Sequence, residues 1–334
     1  ATLYAFFGSF ARAFPPLAKN LAMCYHDPQE HRTRKGDFSV KKLLFIVNPR
    51  AGRTKSMAPF FDAVARFSQA SYLVRVLVTC ARGDATQAAA ECGPDYDLVV
   101  CAGGDGTFNE TVNGLMSVPA DRRPPIGYLP AGSTNDFAAS LHLSSHPDAA
   151  AAAIACGRPR YLDVGRLNDR HFTYVASFGA FTRASYSASQ LAKNALGHLA
   201  YIMEGINSLD SLRPYRCTIT ADGERFEDNF IFGAVCNSTS LGGLVKLDPG
   251  RVQMDDGRLE LLLLRMPKTL SDLNQLLTGL SRMEYNEPGI IFRHVEQVDI
   301  ETDDELPWSL DGEYYPSSPE VHIRCLHRGI ELMM

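Results

Sequence analysis

The sequence predicts an α/β fold in which a parallel-sheet domain is followed by a mainly antiparallel β-sandwich domain. Between residues 41 and 156, short apolar runs alternate with segments of helical spacing, as buried parallel strands and their covering helices do. Beyond about residue 160 the apolar runs follow one another closely, which favours antiparallel pairing. Asp-Gly pairs at 222–223, 256–257 and 311–312 are typical of tight hairpin turns.

The first half contains four predicted strands and five predicted helices. The strands are expected at residues 41–47, 72–79, 97–101 and 125–129. The helices are expected at residues 57–70, 85–92, from about 107 to 116, from about 136 to 141, and at 147–156, where Gly157 ends an alanine-rich stretch.

The second half is predicted to be mainly strands. Two strands are expected within 161–182, one long helix at 185–210, strands at 215–220, 226–235, 258–265, 291–301, 306–311 and 320–325, and a helix near 271–280. We divide the chain into an N-terminal segment of unassigned role (1–38), an α/β domain (39–157) and a sandwich domain (158–334). Whether the C-terminal end returns to the first domain is left open.

Composition and charge exclude several classes of protein. The formal net charge is −5 over 334 residues, which argues against a nucleic-acid-binding protein because such proteins usually carry a basic excess. No uninterrupted apolar stretch reaches the length of about 18 residues that a membrane-spanning helix needs. Eight dispersed cysteines without a CxxC pair are typical of reduced, mostly buried thiols in a cytoplasmic protein.

The strongest candidate site is a glycine-rich loop between a buried strand and a helix. Its backbone N–H groups, together with the following helix N-terminus, suit a phosphate group. A carboxylate in such a loop would repel phosphates, and a bridging divalent cation resolves that conflict. The alternative is a tight turn with a capping Asp; Thr107 and Glu110 also match a capping box. The loop residues are Gly103, Gly104, Asp105, Gly106 and Thr107.

Two further loops follow strands of the same predicted sheet. Gly132, Ser133 and Asp136 stand between a strand and a helix, and they offer a hydroxyl to phosphate and a carboxylate to water or metal. Ser133 and Asp136 also fit a second capping box, and both interpretations can hold together. Ligands of open α/β sheets bind at the carboxyl ends of the strands, which favours a shared site.

The loop after the first strand adds an amide and a cation. Asn48 can bind a base, ribose or phosphate, and Arg53 can neutralise phosphate charge; a plain strand-ending loop is the alternative. Neither GxxxxGK[ST] nor GxGxxG is present, which disfavours a Walker loop and dinucleotide hydride chemistry.

The ordered motifs NPxxG, GDAT (residues 83–86), GGDGTxNE (103–110) and GSTNDF (132–137) resemble the diacylglycerol kinase catalytic-domain family, most of all its soluble bacterial lipid kinases. The resemblance extends over about residues 41–330, through DVG at 163–165, Asp256-Gly257 and the DGE at 311–313. GGDGT alone is shared with NAD kinases and phosphofructokinases. GSTND, where NAD kinases have a GSTAY-like segment, disfavours an NAD kinase.

The resemblance implies a nucleotide-binding α/β domain, a lipid-binding sandwich, and ATP in the cleft between them. It implies that Asp105 acts through magnesium and that Glu313 accepts a proton. It also implies a structural magnesium ion held by Asp256 and by backbone oxygens of Gln253 and Arg258. Asp136 and Asp163 are supporting residues. The implied nucleotide contacts are Asn48, Pro49, Gly52, Arg53, Thr79, Gly103, Gly104, Asp105, Gly106, Thr107, Asn109, Gly132 and Ser133.

From the residues alone, Glu313 and Asp256 have plainer interpretations as parts of hairpin turns, because Asp-Gly-Glu also occurs at 222–224.

The combined prediction is an ATP- and Mg²⁺-dependent lipid kinase of phospholipid metabolism, with diacylglycerol as the favoured acceptor. Phosphatidylglycerol, a sphingoid base or ceramide are alternative acceptors, and a non-catalytic nucleotide-binding membrane regulator is the alternative class. We expect a cytoplasmic protein with peripheral membrane contact, and a homodimer stays open.

Overall fold

The computed structural model describes residues 40–52, 58–180, 212–241 and 245–334. From Lys41 to Met334 the chain forms one unit, built around a continuous sheet. The predicted N-terminal segment 1–38, Arg53 and the predicted helix at 185–210 lie outside the described residues.

The first half contains the expected parallel sheet in the order β4-β3-β1-β2, with every pairing among these strands parallel. Its strands are β1 (Lys41–Val47), β2 (Tyr72–Val78), β3 (Leu98–Gly103) and β4 (Ile126–Pro130). Its helices are α1 (Ala58–Gln69), α2 (Asp84–Cys92), α3 (Asp105–Met116), α4 (Asp136–Ser140) and α5 (Pro147–Cys156).

Helices cover both faces of this sheet because the strand residues are apolar on both sides. Phe67 of α1 and Ile154 of α5 pack on the face that carries Phe45. Phe108 of α3 packs on the other face, where its ring stacks on Tyr128 at a centroid distance of 4.5 Å. The burial of β1, β3 and β4 on two faces explains why these strands read as continuous apolar runs in the sequence.

The second half is mainly antiparallel. Its strands are β5 (Pro159–Leu167), β6 (Arg170–Phe172), β7 (Val175–Gly179), β8 (Tyr215–Ala221), β9 (Glu224–Cys236), β10 (Ser240–Leu241), β11 (Val245–Lys246), β12 (Leu259–Arg265), β13 (Ile290–Val295), β14 (Gln297–Glu301), β15 (Trp308–Leu310), β16 (Glu313–Tyr315) and β17 (Glu320–Met333). Helix α6 (Leu270–Arg282) begins with a capping box formed by Thr269 and Asp272. The predicted fold class is confirmed.

Three details of the second half differ from the sequence-based expectation. One strand was expected at 291–301, but a bend at Glu296 divides this stretch into β13 and β14. Where two strands were expected within 161–182, three strands are present, because the turn at Asn168–Asp169 splits the first run into β5 and β6. The turn at Asp256–Gly257 is not a hairpin, because the strand that follows it, β12, pairs with β9 and β13. The Asp-Gly turns at 222–223 and 311–312 do join paired strands, β8 with β9 and β15 with β16.

The last strand connects the two halves. Most of β17 pairs antiparallel with β5 and β14, and then Leu332 near its end pairs in parallel with Ile126 of β4. The C-terminal end therefore lies beside the parallel sheet and makes the sheet continuous. The division of the chain at residue 157 stays a prediction.

No helix within the described ranges is long and apolar enough to cross a membrane. The seven cysteines in these ranges are free, but only Cys101, Cys217 and Cys236 are buried. Most of the described thiols are therefore not buried in the core.

Candidate functional site

Three glycine-containing loops meet at the carboxyl ends of β1, β3 and β4. A Cβ atom on Gly132 would lie 2.6 Å from the Cα atom of Gly104, and one on Gly52 would lie 2.1 Å from the Ala131 carbonyl oxygen. Gly52 also has φ +73°, which L side chains rarely adopt. The loops can approach so closely only because these positions carry no side chain.

Above these loops lies a cavity of about 420 Å³, a volume suited to a small-molecule ligand. It is bounded by the three loops, the β2–α2 turn and the β15–β16 turn. The lining residues are Asn48, Arg50, Ala51, Gly52, Thr79, Cys80, Ala81, Arg82, Gly104, Gly106, Thr107, Glu110, Gly132 and Glu313.

Eight of the residues singled out from the sequence line this cavity, whereas other members of the predicted nucleotide set do not. Asn109 is buried, and its amide donates to the Asp311 carboxylate at 2.6 Å and to the His171 carbonyl at 3.0 Å, so it joins the loop helix to the sandwich. Gly103 packs against Thr107, where a Cβ atom would lie 2.6 Å away. Pro49, Asp105 and Ser133 also lie outside the lining set, and Arg53 is not among the described residues.

Six lining residues were not predicted as site residues, although Glu110 was assigned to a capping box: Arg50, Ala51, Cys80, Ala81, Arg82 and Glu110. Five of them lie within three residues after Asn48 or Thr79, so the position of each loop after a parallel strand was the signal that could have found them. The Asn48 side chain fastens the first loop to the loop helix, because its Nδ2 donates to Thr107 Oγ1 at 2.9 Å. Its Oδ1 accepts from the Arg50 N–H at 2.9 Å.

Neither predicted capping box forms at this site. Helix α3 begins at Asp105 after an extended Gly104, with no side-chain cap, and the Glu110 carboxylate instead accepts from the Gly83 N–H at 2.9 Å. Helix α4 begins after Asn135, which has φ +54° and no side-chain cap. Both interpretations were wrong because Thr107 lies within the first turn of α3 and Ser133 lies ahead of the cap position.

Within the described part of the chain, the carboxylate of Asp105 lies in a buried environment with further acidic groups nearby. Its Oδ2 accepts from the Asp136 N–H at 3.1 Å, while its Oδ1 is buried and has no hydrogen-bond partner among the described residues. Burial, followed by the nearby Asp136 carboxylate, raises the pKa of Asp105 to about 7. An orphaned carboxylate oxygen beside further acidic groups fits a divalent cation, which prefers such oxygens.

Glu313 reaches the glycine loop from the sandwich. It follows the turn between β15 and β16, where Asp311 has φ +47° and Gly312 has φ +83°. A Cβ atom on Gly106 would lie 3.6 Å from Glu313 Oε1, so the carboxylate stands over the start of α3. Arg82 Nη2 lies 2.5 Å from Glu313 Oε2.

The Asp311 carboxylate holds this turn in place. Its Oδ2 accepts from the Asn109 amide and from the N–H and hydroxyl of Thr173, at 2.6–2.7 Å. Its Oδ1 accepts from the N–H groups of Tyr174 and Val175 at 3.0 and 2.9 Å. Burial raises the pKa of Asp311 above its usual range, against these hydrogen bonds. One buried carboxylate thus joins the Glu313 turn, α3 and the segment from Thr173 to the start of β7.

The predicted structural magnesium residues lie together in the loop before β12. The exposed Asp256 carboxylate accepts from the Arg258 N–H at 3.0 Å. Asp163 is buried, and its carboxylate accepts from the Gly257 N–H at 2.6 Å and from the Arg328 N–H at 2.7 Å. Asp163 therefore fixes the shape of this loop.

Glu260, which was not predicted from the sequence, adds an acidic group beside this loop. It is fully buried, and neither carboxylate oxygen makes a well-formed hydrogen bond in the described part of the chain, although the backbone N–H groups of Glu260 and Gln253 act to lower its pKa. Burial, followed by the Asp256 carboxylate, raises the pKa of Glu260 to about 9. No three His, Cys, Asp or Glu side chains converge as a metal cluster in the described ranges, so a cation here needs backbone oxygens. The residues present fit that arrangement.

Comparison with known proteins agrees with this architecture. Residues 42–167 match the model of the diacylglycerol kinase catalytic domain, and residues 175–334 match that of the YegS C-terminal NAD kinase beta sandwich-like domain. A diacylglycerol kinase from Bacillus subtilis is 33% identical over 88% of this chain and 97% of its own. One from Staphylococcus carnosus is 32% identical over 82% of this chain and 89% of its own.

Solved structures give the same result. A diacylglycerol kinase from Bacillus anthracis strain Sterne superimposes with a TM-score of 0.71, at 27% identity, over 88% of this chain and 96% of the other. The two-domain kinase architecture, the loop geometry and the extent of these matches define the class of protein as a lipid kinase. The chain belongs to the diacylglycerol kinase family.

Proposed function

We propose that this protein transfers the γ-phosphoryl group of ATP to the free hydroxyl of diacylglycerol, with Mg²⁺ as its metal. The observation that carries the proposal is that the glycine loops and the Glu313 carboxylate border one cavity. A phosphate-binding loop and an acidic side chain that can accept a proton are the two groups a kinase must bring together.

The donor phosphates would rest on the backbone of the loops. The first-turn N–H groups of α3 have no acceptor within the helix, and they form the positive end of its dipole. Gly104, Gly106 and Gly132 leave this backbone open to the cavity, so phosphate oxygens can approach it closely. Asn48 and Thr107, which also line the cavity, would orient the nucleotide.

Two acidic positions would hold the metal. At the loop, Asp105 with Asp136 would bind the Mg²⁺ that accompanies ATP, which supplies neutralisation of phosphate charge in transfer. In the loop before β12, Asp256 with backbone oxygens of Gln253 and Arg258 would hold a structural ion beside Glu260. The orphaned oxygens of Asp105 and Glu260 support both assignments.

Glu313 would accept the proton of the lipid hydroxyl as that oxygen attacks the γ-phosphorus, while the bond from the γ-phosphorus to the β–γ bridging oxygen breaks and ADP leaves. Positioning of the two substrates, rather than covalent catalysis, would supply most of the rate. Since the acceptor is a membrane lipid, the protein would contact the membrane surface from the aqueous side. Phosphatidylglycerol, a sphingoid base and ceramide carry the same hydroxyl chemistry and are alternative acceptors.

A lipid panel tests the proposal. The purified chain is incubated with labelled ATP, Mg²⁺ and mixed micelles that each contain one candidate lipid. We expect labelled phosphatidic acid from diacylglycerol and less product from the other lipids. Labelling of a different lipid would correct the acceptor, and ATP binding without lipid-dependent transfer would favour the non-catalytic regulator.

Replacement of the proposed proton acceptor should slow turnover without unfolding the protein. We expect Glu313→Gln to lower kcat about 100-fold, the range for loss of a general base, with an unchanged melting temperature. Glu224→Gln is the matched control, because Glu224 follows the other Asp-Gly turn and lies outside the cavity. Equal activities of the two variants would remove Glu313 from the proposed role.

The structural ion should reveal itself as thermal stabilisation. We expect Mg²⁺ without nucleotide to raise the melting temperature, because a ligand bound only by the folded state stabilises it. Asp256→Asn should abolish most of this rise, whereas Asp255→Asn, the neighbouring carboxylate paired with Arg160, should retain it. Equal shifts for both variants in a calorimetric melt would contradict this site.

A further inference from the structure

Arg82 meets Glu313 across the cavity. Arg82 belongs to the turn between β2 and α2, and Glu313 begins β16, so 231 residues separate them in sequence. The distance from Arg82 Nη2 to Glu313 Oε2 is 2.5 Å, and both residues line the cavity. This contact directly joins the turn that follows an edge strand of the parallel sheet to the sandwich turn that carries the acidic residue.

The Glu313 side chain needs a partner to hold one orientation. Asp311 fixes the backbone of its turn, but a glutamate keeps three rotatable side-chain bonds, and about a quarter of this side chain is exposed. A proton acceptor is effective only when its oxygen lies within hydrogen-bond reach of the hydroxyl. Among the described residues, Arg82 makes the ion pair that fixes this carboxylate.

The same pair contributes little to folding. The Arg82 side chain is 68% exposed, and exposed ion pairs add little to the stability of a protein because water and salt screen them. A matched pair exists elsewhere in the molecule: Arg293 binds Glu224, which follows the other Asp-Gly turn, at 2.8 and 2.9 Å. That pair lies outside the cavity. What distinguishes the Arg82 pair is its position over the glycine loop.

We propose that Arg82 is a positioning residue that orients the Glu313 carboxylate towards the acceptor hydroxyl, a role that rests on the proposed function. Arg82 acts through Glu313, and nucleotide binding does not depend on it. Its substitution therefore affects turnover rather than the affinity for ATP, and only while Glu313 is present.

A double-mutant cycle with the full chain tests this role. Labelled transfer from ATP to diacylglycerol is measured for the unaltered chain, Arg82→Ala, Arg82→Lys, Glu313→Gln and the double variant Arg82→Ala/Glu313→Gln, with Arg293→Ala as control. We expect Arg82→Ala to lower kcat about tenfold or more, since small misplacements of reacting groups have effects of this size. KM for ATP should change less than about twofold, and Arg82→Lys should recover part of kcat.

In the Glu313→Gln background, Arg82→Ala should cause no further loss, because the two residues act as one unit. Arg293→Ala should match the unaltered chain, and all melting temperatures should agree. Independent losses in the double variant, or a rise in KM for ATP in either background, would overturn the positioning role and assign Arg82 to the nucleotide phosphates. Absence of lipid-dependent transfer by the unaltered chain would overturn the proposed function itself and this inference with it.

Discussion

Asp105→Asn is expected to abolish lipid phosphorylation while it stabilises the folded protein. The Asp105 carboxylate has a buried oxygen without a partner and lies near Asp136 and Asp311, so its charge is unfavourable in the folded chain without a cation. We expect a loss in kcat of roughly 10³-fold or more, because phosphoryl transfer depends on the metal-held charge balance. In EDTA the melting temperature should rise by about 2 °C or more, since an amide removes the buried charge.

The opposite signs of the two effects make the prediction specific. A substitution that merely disturbed the loop would lower activity and stability together, as most core substitutions do. Asp148→Asn provides a control, because its carboxylate is exposed and pairs with Arg66 away from the cavity. Activity near that of the unaltered chain in Asp105→Asn, or a melting temperature that falls by several degrees, would contradict the proposed role of this residue.

The first half of the fold could be predicted from the sequence because each strand and each loop is marked by residues that are neighbours in the chain. Each of β1, β3 and β4 is a buried apolar run followed by a loop with glycine, and parallel strands place such loops at one edge. The close approach of Gly104 and Gly132 confirms the expected meeting of the two strongest motifs. Their proposed roles toward ATP stay predictions.

The residues that meet across the cavity could not be predicted from the sequence, because their contacts join segments that are distant in the chain. Arg82 carries no motif of its own, and its position beside Glu313 depends on how the sandwich folds back onto the parallel sheet. Glu260 lies in an apolar strand, where only the structure reveals that its carboxylate faces the Asp256 loop. The capping boxes failed for a related reason: short patterns such as T-x-x-E fix neither the first residue of a helix nor the partner of the carboxylate.

The two Asp-Gly-Glu turns explain why a shared motif gave two different outcomes. Both are two-residue hairpins with nearly equal backbone angles: φ is +46° at Asp222 and +47° at Asp311. The Asp222 carboxylate accepts from exposed N–H groups of Glu296 and Gln297. The Asp311 carboxylate instead is buried and reaches three segments of the chain. The local sequence determines the geometry of both turns, whereas burial in the tertiary structure determines the role of each Asp carboxylate.

Asp311→Asn is expected to have the largest effect on stability among single substitutions near the site. The carboxylate of Asp311 accepts five hydrogen bonds, and an amide in its place turns one acceptor atom into a donor that faces other donors. Loss of a partner in a buried charged network has an effect of about 3 kcal/mol or more on the free energy of unfolding. Denaturant unfolding measures this change, and kcat should fall as well because the Glu313 turn loosens.

Asp222→Asn is the control that distinguishes loss of the buried Asp311 hydrogen bonds from any effect of asparagine on the Asp-Gly turn itself. Asparagine tolerates the left-handed backbone that both positions require, so the local conformation is equally available to the two variants. At the exposed Asp222, the same substitution should lower the free energy of unfolding by about 1 kcal/mol or less. Similar small losses in the two variants would mean that the buried hydrogen bonds of Asp311 do not hold the Glu313 hairpin. A much larger loss at Asp311 would mean that this one carboxylate joins α3, the start of β7 and the turn that carries the proposed proton acceptor.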